Sequence, residues 1–295
     1  MDKSVSLSDA VGEFIKNGDT IFIGGFGHCV PFALGHEILR QNLNGLTICR
    51  SGTDILFDQM IAAGVVEKVI FGYLGNPGIG LSHAFRRAVK DGTIVYEEWT
   101  NFAMMLRLHA AQLGVPFLPS RILQIGDIAG ASIQVENIKC PYTGEHLACI
   151  PALEPDVALI HAPHADRAGN VQFYGVDGDT VMGALASKHI VVSVEKFVEP
   201  EEIARFPERT RLPAHRVSAV VQVPWGAHPS YVDGLYGRDD DHFRAYDSVS
   251  RKPDSLADYL NKWVYECIDR DSYIECIGEE RLAELKSQVR IRTGE

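Results

Sequence analysis

The sequence lacks the clustered lysines and arginines that a nucleic-acid surface requires. Its 28 basic side chains are outnumbered by 39 acidic ones, which gives a formal net charge of -11 at pH 7. Because binding to a phosphate backbone depends on local positive charge, this balance argues against a nucleic-acid partner. The 46% hydrophobic content is that of a globular protein, and 295 residues are enough to bury a large core.

A long uncharged apolar run is also missing. No segment approaches the roughly 18 apolar residues that a membrane-spanning helix needs. The N-terminal "MDKSVSLSDAVGEF" carries acids where a signal peptide has a basic start and an apolar middle. The sequence therefore predicts a cytoplasmic protein without a membrane partner.

Cysteine is scarce, and its six occurrences form no C-x-x-C pair. This spacing favours neither a disulfide framework nor a tetrathiolate zinc site, so we expect reduced, mostly buried thiols and no bound metal. A G-x-G-x-x-G fingerprint and a P-loop are absent as well, which argues against an enzyme with a nucleotide cofactor.

The first hundred residues contain an alternation of strand-like and helix-like segments. Apolar runs rich in β-branched residues begin at Thr20, Leu46, Lys68 and Thr93. The intervening "FALGHEILRQNL", "ILFDQMIAA" and "HAFRRAVK" have helical spacing, and Asp54 and Ser82 are suitable N-caps for the second and third. This order predicts an α/β fold with a mainly parallel sheet flanked by helices.

The ends of these four strands predict a ligand site. They read Gly24-Gly25-Phe26-Gly27, Ser51-Gly52-Thr53, Gly72-Tyr73-Leu74-Gly75-Asn76 and Glu97-Glu98-Trp99-Thr100. Ligands of open parallel sheets bind at the carboxyl ends of strands, and glycine lets backbone amides come close to a ligand. A simpler alternative stays open, namely that the glycines only make tight turns. Of the paired glutamates, side-chain alternation places one in the cleft, and we favour Glu98.

Later segments extend the same fold. "DVALIHA" (156–162), "HIVVSVE" (189–195) and "VSAVVQV" (217–223) are further strand candidates, and "CPYTGEHLACIPAL" has the turn chemistry of a hairpin or of an excursion over the sheet. From about residue 236 the chain becomes charged and helical. We predict an α/β domain over residues 1–235, and a helical C-terminal extension over residues 236–295 that packs on this domain or on a partner.

Other candidate chemistry is weaker. His161, His164 and Asp166 are metal-ligand types, but two histidines three apart on a strand and turn do not share one helical face. His28 and Cys29 are adjacent in sequence, where a nucleophile and its base rarely meet, so we interpret both as loop lining.

Several segments together resemble a known family. They are "NGDTIFIGGF" followed by Pro31, "SGTDILFDQMIAAGVVEKVIFGYLGN", "GVPFLPSR", "HADRAGNVQFYG", "VVSVEKFV" and "WGAHPS". As a set they resemble the A (alpha) subunit of family I coenzyme A transferases, of the glutaconate CoA-transferase type. The resemblance reaches to about residue 245. It implies a CoA-transferase or NagB-like α/β fold and an active site shared with a B subunit.

The resemblance further implies that the B subunit carries a nucleophilic glutamate in a Ser-Glu-Asn-Gly context. The nearest match in this chain is Glu136-Asn137, which Val135 and Ile138 flank. CoA transfer between acids needs a carboxylate that attacks the thioester and itself becomes a CoA thioester, so this chain should be inactive without its partner. Coenzyme A is then a substrate, and no cofactor is bound permanently.

The same resemblance offers an alternative. Proteins of this type also serve in ring-opening acyl-CoA hydrolases and in acyl-CoA decarboxylases. In the ring-opening type the catalytic glutamate belongs to the A subunit. Glu98 resembles it in position, and a partly desolvated carboxylate there would act as a general base. Arg121 would bind a substrate carboxylate or a developing enolate through its planar fork.

The leading interpretation is the A subunit of a heteromeric CoA-transferase that moves CoA between carboxylic acids, dicarboxylic acids among them. The alternatives are a hydrolase or decarboxylase with Glu98 as base, and a non-catalytic acyl-CoA-binding module. Glu98 is the candidate catalytic residue. The candidate binding residues are Gly24, Gly25, Phe26, Gly27, Ser51, Gly52, Gly75, Asn76 and Arg121.

Overall fold

The computed structural model describes residues 2–25, 27–124, 127–131, 133 and 135–289, and its strands form two sheets. In chain order the strands are β1 (Thr20–Ile23), β2 (Leu46–Gly52), β3 (Val66–Tyr73), β4 (Val95–Glu98), β5 (Phe117–Ser120), β6 (Asn137–Lys139), β7 (His146–Pro151), β8 (Val157–Ala165), β9 (Val171–Gln172), β10 (His189–Phe197), β11 (Thr210–Leu212) and β12 (Ala219–Gln222).

The main sheet is mostly parallel, which confirms the predicted fold class. Its parallel strands lie in the order β12–β10–β8–β1–β2–β3–β4, so that β12 and β4 are at opposite edges. A short antiparallel addition, β9 and β11, extends from the end of β8. The second sheet is antiparallel, in the order β5–β7–β6, and its β6–β7 pair is the hairpin that the turn chemistry suggested.

The helices cover both faces of the main sheet. In chain order they are α1 (Leu7–Phe14), α2 (Phe32–Arg40), α3 (Ile55–Ala62), α4 (His83–Lys90), α5 (Asn101–Leu113), α6 (Ile128–Ala131), α7 (Thr180–Ala186), α8 (Pro200–Arg205), α9 (Asp240–Ser250), α10 (Pro253–Leu260), α11 (Arg270–Ile277) and α12 (Glu279–Ser287), with a π-helical turn at Asn261–Tyr265 and 3-10 turns at Pro207–Arg209 and Ala214–Arg216. The three helices predicted in the first hundred residues are α2, α3 and α4.

The two predicted N-caps behave differently. Asp54 caps α3, and its carboxylate accepts a hydrogen bond from Ile55 N at 2.6 Å. Ser82 occupies the N-cap position of α4 but makes no side-chain capping bond. Asp58 of α3 accepts instead from the amides of Ala84 and Phe85, at 3.3 and 2.9 Å. A contact between helices has therefore replaced the local cap.

Alternating side chains of the strands build two cores on opposite faces of the sheet. Ile21 and Ile23 of β1 face the core covered by α1–α4, α9 and α10, whereas Phe22 faces the core covered by α5 and α7. All three side chains are buried, as expected for a central parallel strand that has helices on both faces.

Helices α9 and α10 pack on the first of these cores. Phe243, Tyr246 and Leu256 are buried in it, and Tyr246 Oη donates to Asp58 Oδ2 at 2.9 Å. The division into domains at residue 235 stays a prediction. Among the described helices, none combines the length and the apolar character that crossing a bilayer requires.

Candidate functional site

The carboxyl ends of β1–β4 lie side by side and form one border of the sheet, called the carboxyl edge below. Gly52 at the end of β2 pairs with Tyr73 at the end of β3. Phe71 of β3 pairs with Glu98 at the end of β4, and β1 pairs with β2 on the other side. The four segments from which the site was predicted are thus neighbours in the fold.

The glycine loop (residues 24, 25 and 27–29) follows β1 and is fixed by surrounding protein. Gly24 N donates to Leu159 O at 2.8 Å, and Gly25 N donates to Thr180 Oγ1 at 2.9 Å. Gly25 has a φ of +84°, and a Cβ on it would lie 2.5 Å from the carbonyl group of Cys29. The path of the loop itself therefore requires glycine at position 25.

Gly27 lies in more open surroundings than Gly25. Its φ is +61°, and no atom of the described chain would come within 4 Å of an added Cβ. Within the glycine loop, position 27 is thus the one with room for an approaching group. Phe26, the remaining candidate of this loop, lies outside the described residues.

Ser51 is held by Asp179, the residue just before α7. Asp179 Oδ2 accepts from Ser51 N at 3.0 Å and from Ser51 Oγ at 2.6 Å, and Asp179 Oδ1 accepts from Arg50 Nη2 at 2.7 Å. Arg50, Ser51 and Asp179 are all buried. The Ser51 hydroxyl is therefore engaged within the fold, and Gly52 directly after it is buried as well.

The two glutamates at the end of β4 have different surroundings. Glu97 forms ion pairs with Lys68 at 2.5 Å and with Arg107 at 3.2 Å, and it accepts from Trp99 Nε1 at 3.2 Å. Burial raises the pKa of Glu97, but these three donors outweigh burial and hold it below its usual value. Glu98 alternates to the other face of the strand and is exposed. Solvent therefore reaches Glu98 more readily than Glu97.

The turn after β3 contains Gly75 and Asn76. Asn76 Nδ2 donates to Phe243 O of α9 at 3.1 Å, which ties the turn to the C-terminal helices. Asn76 is buried, and its Oδ1 has no hydrogen-bond partner in the described part of the chain. A Cβ on Gly75 would meet the phenol ring of Tyr73, whose Oη would be 2.3 Å away.

Arg121 directly follows β5 of the second sheet and is exposed. Its Nε and Nη2 each donate to Glu145 at 2.7 Å, in a bidentate pair. Both side chains are exposed, so solvent screens this ion pair and competes with it.

A partly buried carboxylate near the glycine loop was not among the predicted residues. Glu195 of β10 accepts from His161 Nε2 at 2.9 Å, from Tyr236 Oη at 2.6 Å and from Trp225 N at 2.7 Å. Burial raises the pKa of Tyr236, and the nearby Glu195 charge adds to the effect. Glu195 and Trp225 stand in "VVSVEKFV" and "WGAHPS", two of the segments that carry the family resemblance, so the sequence did contain a signal for them.

Glu195 binds both Trp225 and Tyr236, and the segment between these two residues packs on the glycine loop. Cys29 N donates to Tyr231 O at 2.9 Å, and Val30 N donates to Ser230 Oγ at 3.0 Å. The Cys29 thiol is buried, and burial raises its pKa. The interpretation of Cys29 as loop lining rather than a nucleophile agrees with these surroundings.

His161, His164 and Asp166 have separate partners. His161 Nδ1 lies 2.8 Å from Ser193 Oγ, and His164 Nε2 lies 3.0 Å from Gln172 Oε1. The Asp166 carboxylate accepts from the loop that follows it, at residues 169 and 170.

A different cluster, His228, Asp239 and His242, brings potential metal ligands within 4.8 Å of one another. Its polar atoms already have protein partners: Arg281 donates to both oxygens of Asp239, and Tyr259 Oη lies 2.6 Å from His242 Nε2. The guanidinium occupies the place beside Asp239 that a cation would need, so the cluster serves to attach α12.

A cleft of 1210 Å³ opens at the β12 end of the sheet. Its wall includes residues 221–224 at the end of β12, Ser6 just before α1, and Arg270 at the start of α11. Among the described residues that line it there is none of the predicted site residues. The cleft is therefore a feature separate from the β1–β4 part of the carboxyl edge.

Residues 5–223 match the family model described as Coenzyme A transferase. The chain belongs to the coenzyme A transferase family. This family member is 35% identical to the A subunit of 3-oxoadipate CoA-transferase from Pseudomonas knackmussii, over 95% of this chain and 99% of the relative. The crystal structure of glutaconate coenzyme A-transferase from Acidaminococcus fermentans matches with a TM-score of 0.91 and 32% identity, over 96% of this chain and 95% of that one.

Two further relatives extend the comparison. The IpdA subunit of the cholesterol ring-cleaving hydrolase from Rhodococcus jostii is 33% identical over 88% of this chain and 90% of the relative. An uncharacterized protein of Archaeoglobus fulgidus is 38% identical over 99% of this chain, which spans 66% of that protein's length. The CoA-transferase chain is thus an enzyme subunit with the fold of the glutaconate CoA-transferase type.

Proposed function

We propose that this chain is the A subunit of a heteromeric CoA-transferase that moves CoA between carboxylic acids, at least one of them dicarboxylic. The observation that carries the proposal is the similarity, over nearly the full length, to relatives named as A subunits of such enzymes. The acids in the two names, 3-oxoadipate and glutaconate, are both dicarboxylic, which supports the substrate class.

The partner B subunit supplies the nucleophile in this proposal. Its glutamate attacks the acyl-CoA thioester, which gives a mixed anhydride with the enzyme and releases CoA, and CoA then attacks the anhydride to form an enzyme thioester and free the acid. The acceptor acid reverses these steps and leaves as the new acyl-CoA. The chain described here contributes the carboxyl edge, where Gly27 gives room for the thioester. Arg121, which follows β5 of the second sheet, exchanges Glu145 for a substrate carboxylate.

The surroundings of β4 support docking of a second polypeptide beside this site. β4 is an edge strand, and Tyr96, Phe102 and Tyr73 near its carboxyl end are 42%, 56% and 45% exposed. Exposed apolar side chains along an open strand edge favour coverage by another chain. A partner bound here would place its own residues next to Glu98.

Coenzyme A is a substrate in this proposal, and the enzyme needs no permanently bound cofactor. The site takes an acyl-CoA and a free carboxylic acid, and it has no role for nucleic acid or a membrane. We place the enzyme in the cytoplasm.

The complex of this chain with its co-purified B subunit, called the A–B pair below, tests the proposal. Incubation with an acyl-CoA should leave a CoA thioester on the B-subunit glutamate, which hydroxylamine converts to a hydroxamate that peptide mass spectrometry locates. Glutaconate and 3-oxoadipate should serve as acceptors, and this chain alone should transfer no CoA. Transfer by the isolated chain, or transfer by the pair without a trapped thioester, would overturn the proposal.

A second candidate is hydrolysis or decarboxylation of an acyl-CoA with Glu98 as general base. The similarity to a subunit of a ring-cleaving hydrolase favours it, and so does the exposure of Glu98 beside the ion-paired Glu97. This candidate predicts loss of acyl-CoA without an acceptor acid and without a thioester on the partner. Binding of acyl-CoA with no turnover in either assay would indicate the third possibility, a non-catalytic module.

A further inference from the structure

Two cysteine side chains meet in the C-terminal region. Cys267 follows the π-helical turn, and Cys276 lies in the last turn of α11. Their sulfur atoms are 3.7 Å apart. This separation is close to van der Waals contact of two thiols, and rotation about the side-chain bonds is the movement that would shorten it.

The local structure fixes this arrangement. Cys267 Sγ lies 3.3 Å from Lys262 O, which orients the buried thiol. Asp269, between the two cysteines, caps α11 in a reciprocal capping box with Ser272. The Arg270 guanidinium donates to Trp225 O, which anchors the start of α11 to the body of the protein. The pair is therefore held in place rather than brought together by a flexible tail.

The two thiols differ in access. Cys267 is 1% exposed, whereas Cys276 is exposed. Burial, and after it the contact with Cys276, raises the pKa of Cys267 to about 12. A thiolate is the attacking species in disulfide exchange, so the exposed Cys276 is the thiol that an external reagent meets first.

We propose that Cys267 and Cys276 are a thiol pair that low-molecular-weight disulfides oxidise to an intramolecular disulfide. The Cys276 thiolate attacks one sulfur of the small disulfide, forms a mixed disulfide and releases one small thiol. Cys267 then loses its proton and attacks the Cys276 sulfur, which releases the second small thiol. Two protein thiols and one small disulfide thus give one protein disulfide and two small thiols.

The Cys267–Cys276 disulfide would constrain one wall of the cleft at the β12 end of the sheet. Ile268, Asp269 and Arg270 line that cleft, and all three lie inside the loop that the disulfide closes. A loop of roughly ten residues removes enough entropy from the unfolded chain to raise the midpoint of thermal unfolding by about 4 °C for a chain of this size.

The intact chain tests the proposal. We expect treatment with oxidised glutathione to remove two hydrogens from the protein mass and to yield a cross-linked Cys267–Cys276 peptide, and dithiothreitol to reverse both changes. Cys140→Ser is the matched control, because Cys140 is a solvent-accessible thiol whose pKa hydrogen bonding to Thr143 lowers. This variant should form the cross-link as the natural chain does.

Two variants separate the steps. Cys276→Ser, at an exposed position, should abolish the cross-link and the rise in the unfolding midpoint while leaving the reduced protein as stable as before. Cys267→Ser should stop at a glutathione adduct on Cys276. Absence of the cross-linked peptide from the oxidised natural chain, or its persistence in Cys276→Ser, would overturn the proposal.

Discussion

Asp179 accepts hydrogen bonds from both the backbone amide and the hydroxyl of Ser51, at 3.0 and 2.6 Å. Its second oxygen binds Arg50, and the next residue, Thr180, accepts from Gly25 N. Two consecutive residues at the start of α7 therefore hold the ends of both β1 and β2. This makes α7 the support of the glycine side of the carboxyl edge.

Replacement of Asp179 should destabilise the fold strongly. Asp179→Asn leaves the buried Arg50 guanidinium without its carboxylate, and breaking a buried pair in this way costs about 3 to 5 kcal/mol. Chemical denaturation measures the loss. Glu202→Gln is the control, because it removes an exposed ion pair with Lys196 and should change the free energy of unfolding by less than about 1 kcal/mol. Equal stability of the two variants would contradict the assigned role of Asp179.

Alanine at two positions of the glycine loop should have different effects. Gly25→Ala places a Cβ against the Cys29 carbonyl, so we expect a loss of more than about 2 kcal/mol of stability together with activity. Gly27→Ala places a Cβ in open space, so its loss of stability is only that of an alanine with positive φ, about 1 kcal/mol. The CoA-transfer rate of the A–B pair should fall by more than this loss of stability accounts for. Unfolding curves and CoA-transfer rates test both, and a Gly27→Ala pair with full activity would remove Gly27 from the site.

The sequence was informative where structure depends on local pattern. The apolar run that begins at Thr20 predicted a strand where β1 is found, and the helical spacing of "HAFRRAVK" predicted α4 at residues 83–90, where it is found. The carboxyl-edge residues also became neighbours, because consecutive parallel strands pair and their ends meet on one border. These features can be predicted without knowing which residues far apart in the sequence are in contact.

Features that depend on distant contacts were missed. Ser51 and Asp179 are 128 positions apart, and no local pattern relates them. The amides of α4 that Ser82 was expected to cap donate instead to Asp58 of α3, because the two helices pack together. Choosing between turn-making and ligand approach for Gly25 likewise required the position of the Cys29 backbone.

Asp54 should make stability depend on pH. Burial raises the pKa of this carboxyl from 3.8 to about 6, although its bond from Ile55 N opposes the shift. The folded state therefore binds a proton at Asp54 more tightly than the unfolded chain does. As pH rises from about 4 to 6, Asp54 lowers the free energy of unfolding, by roughly 3 kcal/mol in all. Asp54→Asn should therefore be more stable than the natural chain at pH 8, with a smaller difference at pH 4. Denaturation at both pH values measures this, and a pH-independent difference would contradict it.

The adjacent glutamates of β4 allow a matched test of catalysis against stability. Glu98→Gln removes the charge of an exposed carboxylate, so stability should change by less than about 0.5 kcal/mol, while turnover of the A–B pair should fall at least about 100-fold if Glu98 takes part in proton transfer. Glu97→Gln deprives Lys68 and the largely buried Arg107 of their carboxylate, which should cost about 1 to 3 kcal/mol of stability.

Both variants need the same two measurements, namely denaturation of this chain and turnover by the A–B pair. If Glu98→Gln loses turnover with unchanged stability, Glu98 has a chemical role. If Glu97→Gln is less stable, its neighbour Glu97 has a structural role. Full turnover in Glu98→Gln would exclude Glu98 from catalysis. The chemistry at the carboxyl edge would then rest on the partner's glutamate, because the Glu97 carboxylate is already held by two cations.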